Sequence, residues 1–372
     1  MIRGFCGTLL RSADLFFRSA VRLYGQGKAA DLKNRSALHR RNSNEFRVAF
    51  LRRFKWATAV CAVLLVTVAA SAQDSAQTPS PQNLEKINRF WQETLAISAQ
   101  VPLETEVEKV KDYLPYEKYR VTYRSADGVR IRAYLARPIE AEKAGARLPA
   151  IVTVPGYGGW QQGIMLDECM RGYIVLQIYP RSQGESADLW KIDGPDKLTW
   201  QLDRPESYYY RGAYLDIVRG IDYLASRPDV DSTRIGAMGT SQGGGLVLGL
   251  AALDPRVKAV TAHLPFMCNF RLTATIEGSL VRKLLLQYGD MNENSFSTLD
   301  YFDPYVLANQ IKVPTLVSAG GKDQTCPAPG IRSVFDRLGG IKALAYYPEL
   351  PHTSCGDFYK MSWEWMDRNL KP

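Results

Sequence analysis

Residues 234–245 read Arg234-Ile-Gly-Ala-Met-Gly-Thr-Ser-Gln-Gly-Gly-Gly245, a short apolar strand, a serine between glycines, and the start of a small-residue helix. Gly239-Thr240-Ser241-Gln242-Gly243 fits the Gly-x-Ser-x-Gly nucleophile elbow. In that turn the serine sits at the apex, and a side chain two positions to either side would collide with neighbouring backbone. The turn lifts the Ser241 hydroxyl above a sheet and aims the first N–H groups of the helix at one point, where an oxyanion can sit. A Gly-rich strand–helix turn without chemistry gives the same five letters. The flanks favour the elbow, because Thr233 to Met238 suits a buried strand and Leu246 to Leu253 a buried helix.

Around this stretch, short apolar strands alternate with helices. Ala150 to Val154 reads as a strand ending in Pro155-Gly-Tyr-Gly-Gly159, followed by helical spacing from Gln161 to Arg171. Tyr173 to Ile178 is the next strand, and an irregular polar stretch then runs to Glu206. A long amphipathic helix over Tyr209 to Ser226 leads into the elbow strand. Lys258 to His263 reads as a strand and Asn269 to Gln310 as a largely helical insertion. Strands at Thr315 to Ala319 and Ala343 to Tyr347 flank a helix around Ile331 to Leu338, and a helix from Asp357 to Leu370 closes the chain. Upstream, Leu84 to Ser98 has helical spacing, and Tyr119 to Pro138 reads as a β-hairpin turning at Asp127-Gly128. The pattern implies an α/β fold: a mostly parallel central sheet covered by helices on both faces, with a helical insertion before the strand that precedes Asp323.

The formal charge of +9 is unevenly placed. Residues 1–72 hold 13 of the 47 basic and 3 of the 38 acidic residues, leaving 34 against 35 for the rest. The basic excess therefore belongs to a leader and gives no ground for nucleic-acid binding. Arg52, Arg53 and Lys55 precede an apolar run at about residues 56–70, and Ala70-Ser-Ala72 then offers a cleavage site before Gln73. We expect a signal peptide ending at Ala72, a Ser/Pro/Gln linker over 73–82 and one catalytic domain over 83–372. Export to the periplasm or medium follows, with no stable membrane association after cleavage; an uncleaved N-terminal anchor is the alternative. The preceding ~50 residues are long for a signal n-region, and no Met occurs between Met1 and Met165, so a start at a non-Met codon near Val48 or Leu51 is also expected. Cys61 lies at the front of the apolar run, unlike a lipid-modified cysteine. Cys169, Cys268, Cys326 and Cys355 have no metal-ligand spacing; Cys326 and Cys355 could form a bridge, or all four could be buried thiols.

A serine hydroxyl needs a positioned base. Beyond the leader the chain has two histidines, His263 and His352. In α/β-hydrolases the order is serine, acid, histidine. His263 follows Ser241 by one strand, too soon for an acid to intervene, and reads as a structural residue at a strand end. His352 follows the last strand in Glu349-Leu-Pro-His352 and is the expected base. The acid belongs on the loop after the preceding strand, where Ala319-Gly-Gly-Lys-Asp323 supplies Asp323; Asp300 and Asp303 in the insertion are its rivals. The expected oxyanion donors are the backbone N–H groups of Gln242 and of Tyr157 in Pro155-Gly156-Tyr157. No metal or organic cofactor is implied.

With these residues placed, the chain from about Phe90 to its end resembles the acetyl xylan esterase/cephalosporin C deacetylase family, carbohydrate esterase family seven. The resemblance rests on Gly156-Tyr-Gly-Gly159, Arg181-Ser-Gln-Gly184, Tyr208-Tyr-Tyr-Arg-Gly-Ala-Tyr-Leu-Asp216, Gly239-Thr-Ser-Gln-Gly-Gly244, Asp323-Gln-Thr-Cys-Pro327 and His352. It implies an α/β-hydrolase fold and maps Ser241, Asp323 and His352 onto the triad, and Tyr157 and Gln242 onto the oxyanion hole. Arg181 and Gln183 map onto a structural motif beside the site. It further implies a ring-like homohexamer whose inward-facing sites favour small acyl groups. This chain departs from the family at Pro155 (usually His), Ser182 (usually Gly) and Thr353 (usually Glu).

The expected activity is that of an exported serine esterase removing acetyl groups from small acetylated carbohydrates such as xylan oligosaccharides. A prolyl-oligopeptidase-like peptidase is the alternative, disfavoured by the ~75 residues that precede the core strands. A glucuronoyl esterase would want Arg where this chain has Gln242. A binding module on a dead hydrolase fold would have lost a nucleophile, acid or base, and all three remain.

Overall fold

Among the described residues, nine strands form one sheet in the order β1-β2-β3-β5-β4-β6-β7-β8-β9. The structure is a computed structural model, and it describes residues 80–113, 115–139, 147–159, 169 and 171–371. The leader, most of the linker and nearly all of the helix expected over Gln161 to Arg171 lie outside the described residues.

Strands β1 (Glu106–Tyr113), β2 (Tyr116–Arg124) and β3 (Arg130–Pro138) make an antiparallel meander. Its β2–β3 connection is a short 3-10 turn in which Asp127 and Gly128 take φ of 59° and 74°. That is the left-handed backbone the Asp-Gly pair was expected to supply. From β3 the sheet continues through β5 (Ile174–Ile178), β4 (Leu148–Val154), β6 (Val230–Thr240), β7 (Val257–His263), β8 (Thr315–Gly320) and β9 (Lys342–Tyr347), all mutually parallel. The β7–β8 pairing is brief, running only from Val260 to Ala262 on β7, whereas β8 and β9 pair along their whole length.

Side chains of the central strands alternate between two apolar layers, as successive residues of a strand must. Val152 and Val154 face one layer with Ile174 and Leu176, whereas Ile151 and Val175 face the other. The first layer is covered by α1 (Pro81–Ala99), α2 (Tyr209–Ser226) and α3 (Gln242–Leu253). The second is covered by the C-terminal helix α9, Gly356–Leu370, through Trp363, Met366 and Leu370. Burial on both faces explains why the strands read as continuous apolar runs. Helix α1 begins at Pro81, earlier than the spacing from Leu84 suggested, because Ser80 caps it with its hydroxyl on the Asn83 N–H.

The insertion holds four short helices: α4 (Phe270–Thr273), α5 (Leu280–Gln287), α6 (Glu293–Leu299) and α7 (Pro304–Leu307). Asp303 fixes its two ends together by accepting from the N–H groups of Asn269, Phe270 and Tyr305 at 2.7–2.9 Å. Helix α8 (Ala328–Arg337) then joins β8 to β9. Among the described residues no helix is long and apolar enough to cross a membrane.

Candidate active site

The chain lays down β4, moves outward to β5 and returns to place β6 on the other side of β4, so the carboxyl ends of β4 and β6 meet where the winding reverses. Clefts at such switch points are where α/β sheets bind ligands. Here β4 delivers Pro155-Gly156-Tyr157 and β6 delivers Ser241.

Ser241 has φ 56° and ψ −119°, a conformation a non-glycine residue holds only under constraint. The constraint is close packing around the turn. A Cβ at Gly239 would lie 2.3 Å from the Gly243 carbonyl, and one at Gly243 would lie 2.0 Å from the Val154 carbonyl oxygen. The Ser241 backbone is pinned as well: its N–H donates to the His263 carbonyl at 2.9 Å and its carbonyl accepts from Phe266 at 2.8 Å.

The structure brings the three side chains expected to act together into one chain of hydrogen bonds. His352 Nε2 lies 2.9 Å from Ser241 Oγ, and its Nδ1 lies 2.8 Å from Asp323 Oδ2. A carboxylate can only accept, so the proton sits on Nδ1 and Nε2 faces the serine as an acceptor. Asp323 Oδ1 accepts from the Cys326 N–H at 2.8 Å, which orients the carboxyl group; its side chain is fully buried. The loops carrying acid and base are stitched together, with the Gly321 and Lys322 N–H groups donating to the Tyr347 and Leu350 carbonyls.

The rival acids are used elsewhere: Asp300 pairs with Arg271 at 2.9 Å, and Asp303 caps the insertion. His263 has the structural place expected of it. Its Nε2 donates to the Thr353 carbonyl at 3.1 Å, which leaves Nδ1 to accept from Ser318 Oγ at 2.7 Å. Burial lowers its pKa, keeping the ring neutral, and it stacks on Phe358. The bridge between Cys326 and Cys355 is absent. The four described cysteines are free, three of them buried; the Cys326 thiol lies beside Ser241, whereas Cys355 lies by Tyr347.

Gln242 opens α3, where the first N–H groups have no carbonyl a turn behind them. Gly156 abuts Ser241, which puts the Tyr157 loop beside the nucleophile. Two glutamines couple these elements. Gln183 Nε2 donates to the Tyr157 carbonyl at 3.0 Å, and Gln183 Oε1 accepts from Gln242 Nε2 at 2.9 Å. Tyr210 Oη completes the net by donating to Gln242 Oε1 at 3.1 Å. The Tyr157 ring is held edge-to-face by Phe266 and its hydroxyl by Asp196, and burial drives the phenol pKa far up. Arg181 supports the same stretch from behind through a buried two-pronged pair with Asp216 at 2.9 and 3.0 Å. Ser182, between them, takes φ 63°; its Oγ accepts from the Ile192 N–H at 3.3 Å, so the serine that replaces the usual glycine also ties down the following loop.

Tyr210, Phe266 and the Cys326 N–H were not singled out from sequence. Tyr210 lies inside the quoted Tyr208–Asp216 motif, but its spacing gives no sign of a bond to Gln242. Among the described residues, one group of donors has metal-like proximity: Asp323, Cys326 and His352, with donor atoms within 4.8 Å of each other. Asp323 and His352 are already bonded to one another, and burial pushes the Cys326 thiol well above its usual pKa, so a cation there would have to break the acid–base pair and ionise a buried thiol.

Comparison with known proteins agrees with this architecture. The acetyl xylan esterase (AXE1) family profile matches residues 75–368. Acetyl esterase Axe7A of Xylanibacter ruminicola is 26% identical over 310 residues, covering 79% of this chain and 69% of that protein. The solved structure of the acetyl xylan esterase from Paenibacillus sp. R4 superposes with a TM-score of 0.72 at 30% identity, over 80% of this chain and 99% of that one. Acetyl xylan esterase 1 from Thermoanaerobacterium sp. JW/SL YS485 has the same fold, with a TM-score of 0.71 at 24% identity, over 79% of this chain and 100% of that one.

Proposed function

The chain belongs to the acetyl xylan esterase family, and on that premise we propose that it removes acetyl groups from acetylated xylan oligosaccharides through an acetyl-enzyme. The observation that supports this reading is the unbroken line Ser241 Oγ–His352 Nε2, His352 Nδ1–Asp323 Oδ2 at the switch point of the sheet. His352 takes the Ser241 proton as Oγ attacks the acetyl carbonyl, and the carbonyl oxygen gains the negative charge. The N–H groups of Tyr157 and Gln242 stabilise that oxyanion. The intermediate collapses, His352 returns the proton to the departing sugar oxygen, and the sugar leaves as an alcohol. Water then attacks the acetyl-Ser241 ester with His352 as base, releasing acetate and restoring the serine. Asp323 holds the Nδ1–H tautomer and stabilises the imidazolium in both halves.

The acyl group is small in this reading, the enzyme is exported after cleavage at Ala72, and it assembles as a hexamer. The support for these three points is the family resemblance and the leader pattern at residues 52–72. N-terminal sequencing of exported protein and light scattering test the last two.

The deciding experiment follows p-nitrophenyl acetate and p-nitrophenyl octanoate hydrolysis by wild type and Ser241→Ala, with acetate release from acetylated xylo-oligosaccharides alongside. Faster cleavage of acetate than octanoate, with a loss of about 10³-fold or more in the variant, is the expected result. Wild type no faster than Ser241→Ala on every ester would overturn it.

A further inference from the structure

Between β5 and α2 the chain wanders from Ser182 to Ser207, and this loop walls a cavity of about 280 Å³ separate from the Ser241 turn. Its lining includes Trp190, Trp200, Asp127, Arg181, Glu206 and Arg211. We propose that this cavity is a carbohydrate subsite, taking a neutral pyranose unit of the substrate chain away from the ester being cleaved; the proposal rests on the reading of the activity just given.

The indoles are fixed in place before any ligand arrives. Trp190 follows from the Ser182 turn, whose N–H donates to the Trp190 carbonyl at 3.1 Å. Trp200 Nε1 donates to Asp193 at 2.6 Å. The two rings meet edge-to-face with centroids 5.5 Å apart, and both remain partly exposed. The edge-to-face contact covers one face of one ring and the Arg181 guanidinium lies 5.6 Å over the Trp190 ring, so the surface left for the C–H face of a sugar is the part of the two indoles that stays exposed.

The charges in the wall balance: two guanidiniums against two carboxylates. Arg211 is paired with Asp127 at 3.0 Å and Arg181 with Asp216 at 2.9 Å, so the planar groups are held at set angles. A phosphate would meet Asp127 and Glu206, and a hydrocarbon would displace water from the charged edges of the wall without replacing its hydrogen bonds. A polyol with an apolar face satisfies both halves of the wall, accepting from guanidinium N–H groups and donating to carboxylates. The volume falls just under the ~300 Å³ at which pockets for drug-sized ligands begin, which suits a single ring.

Position ties the cavity to the reaction. Arg181 lies in its wall, and Gln183, two residues on and hence at most about 7 Å away along the chain, clamps the Tyr157 carbonyl. Tyr209, also in the wall, donates to the Arg181 carbonyl at 2.8 Å, and its neighbour Tyr210 donates to Gln242. In this proposal an oligosaccharide presenting its acetyl group to Ser241 leaves a neighbouring unit here.

The test uses unacetylated xylotetraose, which binds without turnover, measured by calorimetry on the whole chain as wild type, Trp200→Ala and the exposed-site variant Glu206→Gln. Wild type is expected to bind, with Kd weakened about tenfold by Trp200→Ala and about threefold by Glu206→Gln. The ratio of kcat/KM on acetylated xylotetraose to that on p-nitrophenyl acetate should fall with the same order of variants, and p-nitrophenyl acetate turnover also reports that each variant is folded. No binding by wild type, or binding and ratio unchanged in both variants, overturns the subsite. If wild type deacetylates the oligosaccharide while the ratio stays fixed, the subsite falls and the esterase reading stands. If xylotetraose binds through these residues but its acetylated form is not cleaved, the subsite stands and the substrate reading falls.

Discussion

Gln183 and Gln242 meet amide to amide at 2.9 Å, with Gln242 donating, and the free N–H of Gln183 goes to the Tyr157 carbonyl. The residue after the nucleophile and the residue on the opposite loop are thus held at a fixed separation by one buried side chain. Gln183→Leu keeps the bulk and removes both bonds. In this variant kcat on p-nitrophenyl acetate should fall about 10²-fold, in the range seen when oxyanion donors are lost, with little change in KM. A fall confined to KM would show that Gln183 shapes the pocket without positioning the donors.

Asp323→Asn tests the acid in the same way. The amide can still receive the Cys326 N–H, but its NH₂ facing Nδ1 favours the wrong imidazole tautomer. We expect kcat to drop by about 10⁴-fold with the melting temperature nearly unchanged. A drop under about tenfold would move the acid's role to another residue.

His263 should matter for stability and only indirectly for rate. His263→Leu leaves the Ser318 hydroxyl and the Thr353 carbonyl without their ring partner. The cost is about 1–3 kcal/mol for each buried group left unsatisfied. Thermal melts should show the loss. The pH–rate profile of the variant should keep the wild-type shape, because in the proposed mechanism His263 takes no proton; a shifted profile would make His263 part of the chemistry.

Glu117 sets a pH dependence at the other end of the sheet. It accepts from Lys109, Tyr119 and Arg137, and these bonds, the Lys109 bond foremost, hold its pKa down at about 2. The folded pKa lies below the unfolded one, so the unfolded chain binds the extra proton. The stabilisation is complete above the ordinary carboxylate range and drains away as pH falls toward 2. Melting temperature should therefore drop between pH ~5 and pH ~2, and Glu117→Gln should flatten that part of the curve. Equal slopes in the two proteins would assign the acid sensitivity to other carboxylates.

Local signals made most of the core readable. The Ser241 turn announces itself because two close approaches exclude any Cβ at Gly239 and Gly243. Asp323 and His352 were placed by counting strands, since each follows a strand end. Strand β1 escaped notice: it is an edge strand with Val107 and Val110 facing solvent among charged residues, so its sequence lacks the apolar alternation of a half-buried strand. The glutamine clamp, the Tyr210 hydroxyl and the Trp190–Trp200 pair join parts of the chain through side-chain geometry, for which a linear pattern carries no signal. The thiols illustrate the same point, since the bridge that the sequence left open does not form: Cys326 lies beside Ser241 and Cys355 by Tyr347.

The brief pairing of β7 with β8 has a mechanical consequence. Ser241 stands on the β6–β7 side of that joint, and Asp323 and His352 lie together on the β8–β9 side, laced by their own hydrogen bonds. Slippage along the joint would break the His263 bonds to Ser318 and Thr353 and pull His352 off Ser241, while leaving Asp323 and His352 attached to each other and both slabs of sheet intact. An enzyme that slipped there would fall silent on warming before it melted, and would recover on cooling because each slab kept its own register.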